Sequence, residues 1–358
     1  MAKIINKIIY LFILFTRIKW FKIYNLHKSD SDNIIWIYPN AYKNLGLYLR
    51  SNAFLNDAAL IQSFIEKNIN FKIIIGPSIG AVSDKKIYYN ISKLFNIYKF
   101  SNHSATIINV VDELEKQNNI LYPSLKELKY WENKSYMHRS FDKLKIPSPK
   151  TWIISKPDDI NSFANYIVYP CLLKECNSSG SLGVHKVENE TELKFLISEY
   201  NKKGKYEFLI QKLINMRKDL RVIFVDGDIV LHYWRINQSD NWKPTSTGHG
   251  SKVDFISFPE NWRNEILSIS KKLEIRTGAF DIAWDNDDLT NELQILEVSP
   301  SYMPNPKIPT KWINMSYGNY KRKLTLNNSY VQEYIKIVFM IKLKVVNTYF
   351  KNSHSDLF

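Results

Sequence analysis

The chain has 358 residues, 45% of them apolar and 23% charged, with 9 Trp, 22 Tyr and 19 Phe. That is too long for one ordinary domain and too rich in core-forming side chains for a disordered one. Eleven Gly and 13 Pro exclude a collagen-like or low-complexity chain, and two cysteines, Cys171 and Cys176, build neither a disulfide framework nor a zinc site, which points to a reducing cytoplasm. The net charge of +14 is concentrated at the ends: residues 1–30 carry six basic side chains against Asp30, and residues 307–351 carry nine against Glu333. The middle is close to neutral, which argues against nucleic acid as a partner of the main body.

Residues 8–15 form an unbroken apolar run, IIYLFILF, between Lys7 and Arg17. A spanning helix needs about 20 apolar residues, so this run is too short to cross a bilayer. The residues after it offer no small-residue cleavage site for a secretion signal. Arg17, Lys19 and Lys22 alternate with Trp20, Phe21, Ile23 and Tyr24, the pattern of a segment lying in an anionic membrane surface. The segment 330–350 has the same mixture of lysine, aliphatic and aromatic residues. The competing reading for both ends is a helix packed on the body with its lysines snorkelling at the edge.

In chain order, 33–39 reads as a buried strand, 57–67 as a helix, 71–75 as a strand, 86–95 as a helix, and 105–111 as a strand running into 112–116. Strands alternating with helices predict a small α/β unit with a parallel sheet. From Trp131 the pattern changes. A helix is expected over 132–144, then an extended stretch through Pro147 and Pro149. Strands are expected at 152–154, 171–174, 208–211, 220–225, 229–235, 279–284 and 293–298. Gly227 marks a tight hairpin turn. This second half reads as α+β with antiparallel sheet.

Within it, Lys174 ends an apolar strand and is followed by a Ser/Gly loop, 178–183, the kind of backbone that wraps phosphate oxygens. That loop matches neither the Walker A nor the dinucleotide pattern. Asp281 and Glu297 lie inside apolar strand segments, where a carboxylate is costly unless it is paired or metal-bound. Adjacent strands would make them hard oxygen ligands for magnesium; the alternative is a structural salt bridge with Arg221 or Arg235. His103, His138, His185 and His232 show no metal-ligand spacing and read as surface or core residues.

The order of these features resembles the ATP-grasp superfamily, in the branch of ribosomal-modification glutamate ligases and D-alanine ligases. It runs from Lys134 before Ile146-Pro147-Ser148-Pro149, through the strand-end Lys174 and its loop, Phe208-Leu209-Ile210-Gln211 and Asp219-Leu220-Arg221, to Arg235 and the two strand carboxylates. The resemblance covers roughly half the chain. It implies a domain layout of 1–30 as a basic apolar segment, 31–130 as a preceding α/β domain, 131–325 as the ATP-grasp domain of two subdomains gripping ATP between antiparallel sheets, and 326–358 as a basic amphipathic segment. It implies that Lys134 and Lys174 contact ATP phosphates and that Ser178, Ser179 and Gly180 belong to a lid. Gln211, Lys212 and Ile214 would lie at the adenine hinge, and Asp219 near the ribose. Arg221 and Arg235 would face the reacting carboxylate or acyl phosphate, with Lys243 as a further phosphate contact. Asp281, Glu297 and Ser299 would hold magnesium, or manganese in its place. The family's usual asparagine is here Ser299, and Asn305 is the alternative third ligand.

The activity implied is ADP-forming ligation of a carboxylate to an amine. The substrates would be small molecules or a lipid-linked acid in cell-surface glycan or amino-acid conjugate synthesis. The enzyme would be cytoplasmic and peripheral on the inner membrane face, and the resemblance leaves a homodimer open. The competing expectation is a catalytically weakened ATP-binding module or scaffold at the membrane surface.

Overall fold

The computed structural model describes residues 2–37, 48–49, 51–76, 79–91, 100–155, 163–178, 183–239, 241–247, 250–309, 316–322 and 329–355. The chain divides into two compact units, one comprising Met1–Lys129, Pro300–Ile313 and Tyr320–Phe358, the other Tyr130–Ser299 and Asn314–Asn319.

The first unit opens with helices α1 (Ala2–Thr16) and α2 (Trp20–Leu26), followed by β1 (Asn33–Ile37), α3 (Asn52–Glu66), β2 (Lys72–Ile75), β3 (Lys86–Tyr89), α4 (Phe100–Lys116), β4 (Ile120–Tyr122) and α5 (Leu125–Lys129). The four strands form a parallel sheet in the order β2-β1-β3-β4. Strand β1, NIIWI, is almost wholly buried, as a central strand covered on both faces must be. Helix α3 starts five residues before its expected position because Ser51 caps it, its side chain accepting from the Phe54 amide.

Two expected elements of this unit are reversed. Residues 86–89 form a strand, not the start of a helix: Ile87, Tyr88 and Tyr89 are β-formers that pair with β1. Residues 105–111 are helical, not a strand, because Ile107, Val111 and Leu114 recur at a spacing that places all three on one buried face of α4. Tertiary packing overrides the β-preference of the run Ile107-Ile108-Asn109-Val110-Val111.

The C-terminal segment is one long helix, Ser329–Ser355, which belongs to this first unit. It packs along α3 and touches α1. Its apolar side chains, from Tyr330 and Tyr334 to Val346 and Tyr349, are buried. The reading in which this end packs on the body describes it. No described helix is long and apolar enough to cross a membrane.

The second unit contains α6 (Lys134–Leu144), β5 (Thr151–Ile154), β6 (Cys171–Glu175), β7 (Val184–Val187), α7 (Glu190–Lys202), β8 (Phe208–Lys212), β9 (Lys218–Val225), β10 (Asp228–Ile236), β11 (Lys252–Asp254), α8 (Arg263–Lys272), β12 (Thr277–Ala283) and β13 (Gln294–Ser299). They build two antiparallel sheets, β5-β8-β6-β7 and β11-β10-β9-β12-β13. The turn between β9 and β10 has positive φ at both Asp226 and Gly227, as a tight hairpin requires. On the larger sheet Leu220, Val222, Phe224, Phe280, Ile282 and Val298 form an apolar face packed with Met137 and Phe141 of α6 and Ile266 and Ile269 of α8. On the smaller sheet Cys171, Leu173, Phe208 and Ile210 pack with Leu193, Ile197 and Tyr200 of α7. Each sheet therefore leaves its second face for other work.

Candidate active site

Strand alternation decides what occupies the second face of the larger sheet. With Leu220 and Val222 turned to the core, Asp219 and Arg221 project the other way. Register then aligns their neighbours: Arg235 pairs with Asp219 and Tyr233 with Arg221 across β10, Asp281 pairs with Arg221 on β12, and Glu297 pairs with Asp281 on β13. Ser299 is two residues beyond Glu297 on the same face. Four strands thus carry a continuous belt of charge.

Within it the ion pairs are specific. Arg221 donates to both oxygens of Asp281, at 2.5 and 2.7 Å. Arg235 donates from Nε to Asp219 Oδ1 at 2.9 Å and from Nη2 to Asp219 Oδ2, and its Nη2 also lies 2.8 Å from Asp281 Oδ2. Burial pushes the Asp281 carboxyl up, but the two guanidiniums outweigh it and hold the pKa at about 2. Burial dominates at Asp219, whose pKa stays raised despite Arg235. Glu297, half-buried, has no ion pair among the described residues.

The cations come from the other elements of this unit. Asn133 caps α6, its side chain accepting from the Tyr136 amide, which fixes where Lys134 starts the helix. Lys134 Nζ donates to the Ser178 carbonyl and, at 3.3 Å, to its hydroxyl. Its amide donates to the Cys176 carbonyl at 3.1 Å, so the lysine is bound to the strand-to-loop junction at both ends. Lys174 Nζ donates to Gln211 Oε1 at 2.5 Å across the β6–β8 pair. Burial lowers the Lys174 pKa to about 8, Lys134 adding to the effect while Glu297 and Asp281 oppose it. The two lysines and the two carboxylates therefore share one electrostatic environment. Gly183 closes the loop with φ +69°, and a Cβ there would come within 2.6 Å of the Glu175 side chain. Ser179 and Gly180 lie outside the described residues.

Other expected site residues are arranged differently. Asp219 does not face an open cleft where a ribose could reach it: it is 1% exposed and both its oxygens are taken by Arg235. Lys212 and Ile214 line, with Pro149, Lys150, Asp285 and Glu292, a cavity of about 280 Å³, whereas Gln211 points to the opposite side of β8 toward Lys174. Lys243 is exposed, and its carbonyl accepts from Asn237 Nδ2 at 3.3 Å. Asn305 is buried in the first unit.

His138, expected at the surface or in the core, is buried and belongs to this site. It lies one turn after Lys134 and is 5% exposed. Its Nε2 is 3.4 Å from Gln211 Nε2, and its Nδ1 has no hydrogen-bond partner. Burial, then the charges of Lys174 and Lys134, push its pKa down to about 3, so the ring is neutral. The four-residue step from Lys134 was the available signal, since it puts both on one helical face.

The donor set of the belt suits a hard divalent cation: two carboxylates from register-paired positions and a hydroxyl, all oxygen, with Glu297 uncommitted. Asp281 would share its oxygens between such a cation and two arginines.

Two antiparallel sheets with a strand-end lysine and a register-paired carboxylate set are what the resemblance to ATP-grasp proteins leads one to expect. Residues 132–303, slightly under half of the chain, match the RimK-like ATP-grasp domain. The alpha-aminoadipate–LysW ligase LysX of Sulfurisphaera tokodaii is 26% identical over 209 residues, 57% of this chain and 66% of that protein, so slightly less than two thirds of the relative's length is spanned. Among solved structures, the D-alanine–D-alanine ligase of Bacillus anthracis complexed with ATP has a TM-score of 0.51 at 12% identity, covering 88% of this chain and 98% of the other. The D-cycloserine synthetase DcsG has a TM-score of 0.52 at 10% identity, covering 87% and 99%. At these identities the structural likenesses establish the fold.

Proposed function

We propose that the protein is an ATP-dependent ligase that converts a carboxylate to its acyl phosphate, releasing ADP, and passes the acyl group to an amine, releasing phosphate. The observation that carries this reading is the register-aligned belt of Arg221, Asp281 and Glu297, electrostatically coupled to Lys174 and Lys134. The RimK-like match and the ligase names of the relatives support it.

The residues divide the work by charge. Lys134 and Lys174 neutralise ATP phosphates. The backbone from Lys212 toward Ile214 meets the adenine, while Gln211, on the other side of β8, holds Lys174. Arg235, held by Asp219, offers its guanidinium to the oxyanion that forms when the amine adds to the acyl carbon. Arg221 orients Asp281 and faces the substrate carboxylate, and Lys243 contacts phosphate from its exposed loop. Asp281, Glu297 and Ser299 would hold magnesium, or manganese, which when bound supplies positive charge against the phosphate oxygens. The acid is a small molecule or one carried on a lipid.

A second reading, a nucleotide-binding module with weakened chemistry, is favoured by Ser299 in place of asparagine and by the full engagement of Asp281 with two arginines. One experiment separates the two. The protein is incubated with Mg-ATP, hydroxylamine and pooled amino acids, uronic acids and short-chain acids or a membrane extract, and ADP and hydroxamate are scored together. The ligase reading expects both products from wild type and neither from Glu297→Gln. Nucleotide binding without either product, in the pool and in the extract alike, would replace it with the binding-module reading.

A further inference from the structure

The first unit carries a surface that the chemistry of the ATP-grasp domain does not use. Ile8, Phe12 and Phe15 recur at four- and three-residue steps along α1 and make one stripe. Leu14 and Ile18, turned the other way, are buried in the unit. On α2, Phe21 and Tyr24 continue the exposed set while Leu26 is buried. Ile8, Phe12, Phe21 and Tyr24 are 61, 69, 79 and 88% exposed. Trp20 fastens the two helices into one face: its ring stacks on Phe15 at 5.0 Å between centroids, and its indole N–H donates to the Phe15 carbonyl at 2.9 Å. Of the 15 large hydrophobic side chains exposed among the described residues, six lie between positions 8 and 24, and the other nine are scattered from 75 to 340. Scattered exposed apolar residues need no explanation, but a contiguous patch of them marks a contact surface.

Charge selects what covers it. Residues 8–29 contain Arg17, Lys19, Lys22 and Lys28 and no Asp or Glu. All four are exposed, and none pairs with a carboxylate among the described residues. A second copy of the chain related by a two-fold axis would set these cations against themselves. Nucleic acid would satisfy the cations and leave the aliphatic stripe without a partner. An anionic bilayer satisfies both, its headgroups meeting the cations and its acyl boundary taking Phe, Ile, Trp and Tyr side chains. Helix α1, with 15 residues, is too short to span, so it lies in the plane of the surface.

We propose that α1 and α2 form a membrane-contact face that binds anionic lipid through Arg17, Lys19, Lys22 and Lys28 and inserts Ile8, Phe12, Trp20, Phe21 and Tyr24 at the headgroup level. The face is separate from the ATP-binding residues, so its failure would leave the ligase reading intact.

Flotation of the full chain with vesicles tests it. Wild type is expected to float with phosphatidylcholine–phosphatidylglycerol vesicles mixed in equal parts and to stay in solution with phosphatidylcholine alone. Lys19→Glu with Lys22→Glu is expected to weaken binding to the mixed vesicles by about 25-fold or more, at about fivefold for each cation lost. Phe12→Ser with Phe21→Ser and Tyr24→Ser is expected to abolish flotation even at low salt, while circular dichroism and the thermal transition match wild type. These residues are exposed, so loss of fold is not the expected cause. Three results would overturn the proposal: no flotation of wild type with the mixed vesicles, undiminished flotation of the aromatic variant, or a homodimer that the aromatic variant dissolves. Displacement of wild type from vesicles by DNA, with the aromatic variant binding DNA equally well, would assign the cations to nucleic acid instead.

Discussion

In the proposed ligase site, Lys174 is the residue at which charge and chemistry would meet most directly. Burial brings its pKa to about 8, and Lys134 reinforces that against the pull of Glu297 and Asp281. A phosphate bound beside it stabilises the charged form, so the bound pKa is the higher of the two. Below pH 8 the free protein is already protonated there and nucleotide binding should be insensitive to pH. Above pH 8 the lysine must take up a proton to bind, so affinity for ATP should fall about tenfold per pH unit until the bound pKa is reached. ATP itself does not titrate in this range, its last phosphate pKa being about 6. Calorimetry between pH 7 and 9.5 in buffers of differing ionisation enthalpy would measure both affinity and proton uptake. Lys174→Met should bind more weakly and lose the dependence. Proton release, or wild-type affinity flat to pH 9.5, would remove Lys174 from the phosphate site. The linkage has a counterpart in stability: the folded state holds fewer protons than the unfolded one between about pH 8 and the ordinary lysine value, so this residue's contribution rises with pH across that window.

At the level of elements, the consequence of alternation along β9 is that Asp219 and Arg221 share a face while different strands supply their partners. Arg235 is buried between Asp219 and Asp281. Removing one carboxylate leaves an uncompensated charge in the interior, which costs about 3–5 kcal/mol when a buried pair is broken. Asp219→Ala is therefore expected to lower the urea midpoint of this unit strongly, and Asp219→Asn less, because the amide still accepts one guanidinium hydrogen bond. A ribose-binding Asp219 would behave in the opposite way, weakening nucleotide binding with little change in midpoint. The strands themselves are readable, since Asp219-Leu220-Arg221-Val222 alternates polar with apolar residues, the apolar run Ile223-Phe224-Val225 follows, and Asp226-Gly227 announces the hairpin. Asp281 and Glu297 stood out because a carboxylate in an apolar strand demands a partner. Which arginine answers which carboxylate was not readable, for it depends on the register of β9, β10 and β12, and the sequence sets those strands up to 60 positions apart. His138 escaped for a related reason: its neighbours Gln211 and Lys174 come from other strands. The segments 86–89 and 105–111 were misread because short runs of Ile, Val and Tyr carry no period of their own, and packing decided them.

For the molecule as a whole, the two basic ends have different fates despite similar composition. The N-terminal helices leave their aromatic stripe exposed, whereas the C-terminal helix spends its apolar residues on the core of the first unit. Even its charge is partly internal: burial lowers the Lys342 pKa to about 8, with Asp57 opposing, and burial raises Asp57 to about 6, with Asn90 and Tyr48 donating to its carboxylate. The net +8 of residues 307–351, nine basic side chains against Glu333, therefore overstates what that end presents to solvent. Tyr349 ties the helix to the sheet, stacking on Tyr122 at 4.0 Å between centroids, and Tyr122 in turn stacks on Tyr88 at 5.0 Å. Phe350 meets Phe64 of α3 at 5.7 Å, so the end of the helix closes over both layers. Tyr349→Ala should cost about 3–5 kcal/mol, the range for truncating a buried aromatic. Met340→Ala, on the exposed side of the same helix, should stay within about 0.5 kcal/mol. Native-state hydrogen exchange on the amides of Asn52–Glu66 and Ser329–Ser355 would read both. Protection falling in both helices for Tyr349→Ala would mean that they form one cooperative unit and that the C-terminal segment is structural. Protection falling in neither would mean that the aromatic stack holds little, and the lysines of this helix would then be free to form the second basic surface that its composition suggests.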